Sequence, residues 1–386
     1  MRKILIQLLA ILLSLFIRKK EEKLIVLYFD GEKFLFNTRI FFKYLINVSK
    51  YDVKYIINDR KKREDLEKKY GKKFLSMDNL KEIKKILKAK AWLVDGGFPI
   101  KTPFNHKDRV LINFWHGSPI KHIGLDGYSG INKMRVWLQL KMFSSRYNGF
   151  FIISPRVKEI FKKTFLLEED KIKLLGQPRN DLLFKKNDRK IILEKLYLNL
   201  PEYKKVILYA PTYRGNYGGK IIETKYFPFE DFDKENFELF LKENKILFLV
   251  RNHHLDRIKF DETEQIKLLG NEKVEDISEI LNIFDILISD YSGMVFDYLQ
   301  LKKPMLFLPY DLKEYEKNTG IYFNYEKVSP GPKPKNYFEF KNEINKLLNN
   351  KKYYLKERRE MENYFNQIGD GNCKRAFDFL EKELKK

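Results

Sequence analysis

Asp285-Ile286-Leu287-Ile288-Ser289-Asp290-Tyr291-Ser292-Gly293-Met294-Val295-Phe296-Asp297-Tyr298 is the stretch that decides the fold. An unbroken apolar run ends in a polar turn, and a helical pattern starts at once. Continuous apolar runs suit strands buried on both faces. A strand that feeds a helix through a short turn is the repeating unit of a parallel α/β sheet. The helix start offers free N–H groups and a partial positive charge. Ser292, Gly293 and the next amides therefore suit a phosphate. A plain helix cap by Asp290 or Ser292 is the simpler reading of the same residues. The turn matches neither G-x-G-x-x-G nor G-x-x-x-x-G-K-[ST], so neither a nicotinamide site nor a P-loop has support.

The same alternation runs through the rest of the chain. Strands are expected at 24–29, 53–57, 91–94, 110–114, 149–153 and 172–176, then at 205–210, 246–250, 285–289 and 304–308. Amphipathic stretches lie between them, such as 37–49 and 78–90, the second with Asp78 as its expected cap. A further helix is expected over 189–197, and Pro201 closes that region. The 386 residues are enough for two such domains, assigned to 23–190 and 191–386. The charged, helical tail from 337 onward belongs with the second domain or folds back on the first.

Ligands in doubly wound sheets sit beyond the carboxyl ends of strands, and the unusual polar residues fall at those places. His116, Gly117 and Ser118 follow strand 110–114, with Pro119 suited to a helix start. A histidine there can take a proton from a hydroxyl; a hydrogen-bonded loop histidine is the plainer alternative. His122 reads as a surface residue. Arg179 and Asn180 follow strand 172–176 in a Gly-Pro turn, and Asp181 can cap a helix. Thr212 and Arg214 close strand 205–210, where a hydroxyl and a guanidinium suit phosphate. Glycines 215, 218 and 219 suggest a mobile loop there. Arg251 and His253 close strand 246–250 and form a donor pair for phosphate. Neighbouring His253 and His254 point opposite ways on an extended chain. They do not readily share a metal, no HExxH is present, and neither a metal nor a cofactor is expected. Ser289, Asp290, Tyr291, Ser292, Gly293 and Asp297 complete the set, and the stiff turn Pro330-Gly331 either lines the same cleft or is a plain surface turn.

Composition sets the class of partner. The apolar fraction of 44% rules out a disordered chain. The net charge of +23 favours anionic partners, although a Lys-rich surface explains much of it. Aromatic and basic residues do not interleave on one face, so no nucleic-acid partner is expected. Cys373 is the single cysteine, which excludes an internal disulfide and suits a reducing compartment; it reads as incidental. Residues 4–17, ILIQLLAILLSLFI, are flanked by Arg2, Lys3, Arg18, Lys19 and Lys20. A spanning helix needs roughly 20 apolar residues, and this run is shorter and carries Gln7 and Ser14. No small-x-small cleavage site follows it, which argues against a signal peptide. The expectation is that residues 1–22 form an amphipathic helix lying in the interface of an anionic membrane. A buried first helix is the alternative.

Eight segments in this order resemble the CDP-glycerol glycerophosphotransferase family, the teichoic acid primases and polymerases. They are WHGSPIKHIGLD (115–126), GQPRNDLL (176–183), ILYAPTYR (207–214), RNHH (251–254), DILISDYSGMVFDY (285–298), KPMLF (303–307), GIYFNY (320–325) and SPGP (329–332). The resemblance implies a GT-B-like α/β fold of two facing, Rossmann-like, doubly wound domains. It implies transfer of glycerol phosphate, or a related polyol phosphate, from a CDP-polyol donor to a hydroxyl, releasing CMP. The acceptor would be a lipid-linked saccharide or polymer at the cytoplasmic face of a bacterial membrane. His116 matches the histidine of the family's Trp-His-Gly motif, the implied base on the acceptor hydroxyl. His253 matches the histidine of the Arg-x-His motif that meets the donor's pyrophosphate, and Ser292 a phosphate-binding serine. Gly293 stands where the family pattern has a second serine. A glycosyltransferase using a nucleotide sugar is the alternative enzyme, and a basic membrane or nucleic-acid binder the non-enzymatic one.

Overall fold

A computed structural model describes residues 2–102, 104, 106, 108–214, 216–217, 220–221, 224–252 and 261–386. The chain forms two compact units. The first comprises Met1–Gly117, Gly124–Asp181 and Ile368–Lys386, and the second Ser118–Ile123 and Leu182–Gln367. The division at 181/182 falls earlier than the 190/191 boundary expected from the sequence, and the last segment is grouped with the first unit.

The first unit is built on seven parallel strands: β1 (Glu21–Tyr28), β2 (Asp52–Ile56), β3 (Phe74–Leu75), β4 (Ala89–Val94), β5 (Val110–Asn113), β6 (Gly149–Ile152) and β7 (Ile172–Leu174). Their order across the sheet is β3-β2-β1-β4-β5-β6-β7. Val26 of β1 lies between Lys54 of β2 and Trp92 of β4. The chain winds one way from β1 and the other way from β4, so the switch point lies where β1 and β4 end. Helix Phe36–Val48 follows β1 and buries Phe41, Phe42 and Leu45. Each contributes about 1.5–3 kcal/mol on burial, against helix propensities that differ by at most about 0.7 kcal/mol per residue. Packing, not propensity, holds this helix. Helix Asn372–Leu384 buries Ala376 and Leu380.

Helix Leu80–Lys88 begins at Asn79, whose side chain accepts from Lys81 N at 2.8 Å. The expected cap, Asp78, instead faces Ser76. Strand β3 was not expected: two residues are too few to show a period. The first helix, Arg2–Phe16, turns Ala10 and Ser14 inward, with Ser14 Oγ 2.6 Å from Thr102 Oγ1. Leu8, Leu12, Leu15 and Phe16 stay exposed. One face is therefore packed and the other is apolar and uncovered. No helix among the described residues is long and apolar enough to cross a membrane.

The second unit carries β8 (Lys205–Tyr209), a small hairpin of β9 (Asn216–Tyr217) and β10 (Lys220–Ile221), then β11 (Ile246–Val250), β12 (Ile266–Leu268), β13 (Ile286–Ser289) and β14 (Met305–Phe307). Its main sheet is parallel, in the order β12-β11-β8-β13-β14. The switch point falls between β8 and β13. Every residue of β11 and β13 is buried, as their unbroken apolar runs require. The hairpin and β12 were not expected, and Lys267 interrupts the apolar run of β12. The short segment Ser118–Ile123 joins this unit through the backbone. Tyr322 N donates to Ile120 O at 2.9 Å, and His122 N to Gly320 O at 3.1 Å. His122 is half-buried, with its ring against Tyr322, not fully exposed.

Candidate active site

Two turns at strand carboxyl ends gather most of the expected residues, one in each unit. In the first unit β5 ends at Asn113. Its Oδ1 accepts from Trp115 N at 2.9 Å, and its Nδ2 donates to Gly96 O at 2.9 Å. Trp115 takes a φ of 55°, in the left-handed region that costs a non-glycine residue of order 1 kcal/mol. Its ring is anchored against Phe165, with centroids 4.5 Å apart, and His116 stacks on it at 4.0 Å. The His116 side chain is exposed. Its Nδ1 lies 3.1 Å from the carbonyl oxygen of Asp95. A carbonyl only accepts, so Nδ1 carries the hydrogen, and Nε2 of the neutral ring is left as the proton acceptor.

Gly117 has a φ of 121°, and a Cβ there would stand 2.7 Å from Arg179 Nη2. The positive φ favours glycine, and its lack of a Cβ leaves room for the guanidinium beside it. Arg179 is buried on loop 176–181, which is fixed at several points. Gln177 Nε2 donates to Phe114 O at 3.1 Å, and Arg179 N to Asn37 Oδ1 at 3.0 Å. Asn180 is buried in the same loop. Asp181 caps a helix, but a distant one. Its carboxylate accepts from Asn372 N and Nδ2, both at 2.7 Å, and from Cys373 N at 2.8 Å. Cys373 is buried, with its thiol toward Pro178 O.

Asp95 lies at the switch point of this sheet, and the sequence reading missed it. Its Oδ2 accepts from Thr38 N at 2.8 Å and from Thr38 Oγ1 at 2.7 Å. Complete burial pushes its carboxyl up to about 7, although the Thr38 donors and the Arg179 charge pull the other way. Burial wins because desolvation penalises the charged form more than two donors repay. The one signal in the sequence was Asp95 directly after a strand.

The second turn lies at the switch point between β8 and β13. Asp290 is buried, and its Oδ1 accepts from Thr212 N at 2.9 Å, Thr212 Oγ1 at 2.6 Å and Tyr291 N at 2.7 Å. Its Oδ2 accepts from Arg214 Nη1 at 2.7 Å. Arg214 then forks onto Asp311, with Nε at 2.6 Å and Nη2 at 3.0 Å. The guanidinium lies over Tyr310 at 4.8 Å and Tyr291 at 5.0 Å, and the residue is 1% exposed. Burial opposes the charge, yet Asp290 and Asp311 outweigh it and hold the guanidinium above its ordinary value. Arg214, expected to meet phosphate, has donors that face these two carboxylates and so frames the turn. Thr212 likewise spends its hydroxyl on Asp290.

Ser289 Oγ donates to Ala210 O at 2.8 Å and ties the two central strands together. Tyr325 OH donates to Asp290 O at 2.9 Å. Ser292 is half-buried, and its Oγ accepts from Met294 N at 3.2 Å, capping helix Met294–Leu299. A Cβ on Gly293 would stand 3.1 Å from Ser118 O, which gives a steric reason for glycine where the family pattern has serine. Ser118 is itself buried. Arg251 turns to the segment beyond β12: Nη1 donates to Val274 O at 2.9 Å and Nη2 to Asn271 Oδ1 at 2.6 Å. It organises that loop. Asp297 is buried in its helix. Pro330 and Gly331 run along β14, where Phe307 N donates to Pro332 O at 3.0 Å and Gly331 packs on the Met305 carbonyl. The turn is buried structure, not a surface loop. His253, His254 and glycines 215, 218 and 219 lie outside the described residues. Among the described residues no cluster of His, Cys, Asp or Glu is arranged to hold a metal ion.

Parallel α/β units, with an exposed histidine at one strand end and a framed polar turn at a switch point, define a doubly wound α/β protein with polar turns where ligands bind in such sheets. Comparison with known proteins narrows the class. The family model described as CDP-Glycerol:Poly(glycerophosphate) glycerophosphotransferase matches residues 10–378, and the chain belongs to that family. It is 30% identical over 355 residues to the teichoic acid glycerol-phosphate transferase of Staphylococcus aureus (strain NCTC 8325 / PS 47), covering 89% of each chain. It is 30% identical over 330 residues to the teichoic acid poly(glycerol phosphate) polymerase of Bacillus spizizenii, covering 81% of this chain and 80% of that one. The solved structure of the wall teichoic acid polymerase TagF matches with a TM-score of 0.77 at 25% identity, covering 97% of this chain and 92% of that one. Membership of this family favours glycerol-phosphate transfer over glycosyl transfer.

Proposed function

We propose that the chain transfers glycerol phosphate from CDP-glycerol to a hydroxyl of a lipid-linked teichoic acid acceptor and releases CMP. The observation that carries the chemistry is the His116 ring, held by Nδ1 so that Nε2 is its basic nitrogen. Nε2 takes the acceptor's hydroxyl proton as the oxygen attacks the glycerol-bearing phosphorus. The bond between that phosphorus and the bridging oxygen breaks, and CMP leaves with the bridging oxygen. General base catalysis of this kind is worth about 10²–10⁴-fold. Arg179, beside Gly117, is assigned to the acceptor side. Ser292 and the Gly293 amide are assigned to the donor's phosphates together with His253. Asp290, Thr212 and Arg214 set the shape of the turn that carries Ser292 and Gly293. Little covalent chemistry is asked of the protein; positioning and charge neutralisation are the task.

A peripheral place at the cytoplasmic membrane surface is part of the same reading. Two exposed apolar helix faces support it. One is Leu8, Leu12, Leu15 and Phe16; the other is Ile131, Met134, Leu138 and Met142 on helix Gly130–Phe143, with Trp137 beside them. The spacing puts each set on one helix face. Lys133, Arg135 and Lys141 are exposed on the second helix and suit anionic headgroups. The segment between β4 and β5 touches both helices: Thr102 meets Ser14, and Phe98 packs edge-on against Phe143 at 5.5 Å.

The test is incubation with CDP-glycerol and with CDP-ribitol in turn, each with a lipid-linked acceptor, followed by mass spectrometry. Added glycerol phosphate with equimolar CMP is expected. Product only from CDP-ribitol would change the polyol, and release of a nucleoside diphosphate would overturn the reaction class. Flotation with anionic vesicles tests the membrane reading: Trp137→Glu with Leu138→Glu should lower binding, and unchanged flotation would refute that face.

A further inference from the structure

We propose that Asn37 is a positioning residue that locks the Trp115-His116-Gly117 turn to loop 176–181 and so fixes the tautomer of His116. This rests on His116 being the base. Asn37 is fully buried in the first turn of helix Phe36–Val48. Its Nδ2 donates to Trp115 O at 2.7 Å, and its Oδ1 accepts from Arg179 N at 3.0 Å. These two partners are a carbonyl and an N–H, and the amide also meets the Asp95 carboxyl, so it can face only one way.

The first of these bonds matters because of Trp115. A tryptophan at a φ of 55° sits in a region it leaves readily unless its surroundings hold it. The Trp115 carbonyl is half of the peptide that leads into His116, so pinning it sets where the imidazole projects. Asn37 does not act alone on that strip of helix. The ring of Phe36 lies 6.3 Å from that of His116. Thr38 holds the carboxylate of Asp95 through N and Oγ1, and the Asp95 carbonyl receives His116 Nδ1. Three consecutive residues therefore secure the turn at its ring, its peptide and the acceptor of its proton. Only an amide of this length supplies a donor for Trp115 and an acceptor for Arg179 together. Aspartate keeps the acceptor and loses the donor; alanine loses both.

The experiment is nitrogen NMR of the full chain labelled with ¹⁵N-histidine, at pH 8.5, where an ordinary histidine with a pKa of about 6.5 is neutral. The His116 signals are assigned by their loss in His116→Ala. The wild type should show the Nδ1–H form. Asn37→Asp and Asn37→Ala should move His116 toward the Nε2–H form. In parallel, CMP release should fall about tenfold or more while CDP-glycerol affinity stays within twofold, since loss of geometry rather than of binding is the defect. An Nε2–H ring in the wild type overturns the proposal. So does an unchanged tautomer in either folded variant, whichever way turnover moves. An Nε2–H wild type overturns it even if both variants fail to fold. No donor is present in the NMR arm. A wild type inactive on CDP-glycerol would therefore sink the functional reading and leave this result standing.

Discussion

The turn after β5 and the turn after β13 both follow the carboxyl end of a parallel strand and are built in opposite ways. The first holds an exposed imidazole with neutral hydrogen bonds: Asn37 and Asn113 hold the Trp115 backbone, and the Asp95 carbonyl accepts from the ring. The second buries its charges: Asp290 and Arg214 face each other at 2.7 Å with side chains about 2% exposed. A group that must exchange a proton has to reach solvent and substrate. A buried charged pair holds a loop in shape because separating it would leave an uncompensated charge away from water. Charge in a motif is thus a poor guide to ligand contact until its partners are known.

The largest effect expected on turnover separates the two turns. His116→Ala should lower the rate of CMP release by about 10²–10⁴-fold and leave the melting temperature nearly unchanged, as measured by kinetics and calorimetry. Arg214→Ala should do the reverse in kind. It strands the buried carboxylate of Asp290 and takes the partner from half-buried Asp311, and urea unfolding should show a loss of about 3–5 kcal/mol. A loss below about 1 kcal/mol would mean that the pair does not frame the turn. Asp181→Ala removes the cap of helix Asn372–Leu384 and should cost about 0.5–2 kcal/mol in the same assay.

Asp95 gives a pH test of the first turn. Its folded carboxyl is raised, so the folded chain holds a proton that the unfolded chain has released. The stability tied to that proton is complete below the unfolded value of about 4 and is lost as pH rises through about 7. The wild-type melting temperature, taken relative to Asp95→Asn, should therefore fall between those limits. A flat difference across that window would show that Thr38 and Arg179 keep the carboxylate charged at ordinary pH. The smallest effect is expected at Gly293. Serine there needs the Ser118 carbonyl to give by a few tenths of an ångström, and a change of under about 1 kcal/mol should result.

These contrasts also explain what could be read from the chain alone. The run 285–298 was legible because an all-buried strand, a polar turn and a helix follow without interruption. His116, Arg179 and Ser292 were legible as polar residues at strand ends. Strand β12 was not, because Lys267 breaks its short apolar run. The framing role of Arg214 was hidden because Asp311 stands almost a hundred residues away. Asn37 was hidden because an asparagine among apolar helix residues carries no period and no charge. Asp181 was rightly seen as a cap, yet only the fold could supply the helix that it caps. The N-terminal run showed its apolar pattern plainly, but which of its faces packs inward depends on Thr102.

The division of labour between the turns is tested most directly by titrating CDP-glycerol into His116→Ala and Ser292→Ala by calorimetry, with CMP release measured on the same samples. The account predicts that His116→Ala binds the donor as the wild type does and turns over at least about 100-fold more slowly. Ser292→Ala should bind the donor less tightly and turn over near the wild-type rate at saturation. Loss of donor affinity in His116→Ala with turnover intact, or unchanged affinity in Ser292→Ala, would contradict it.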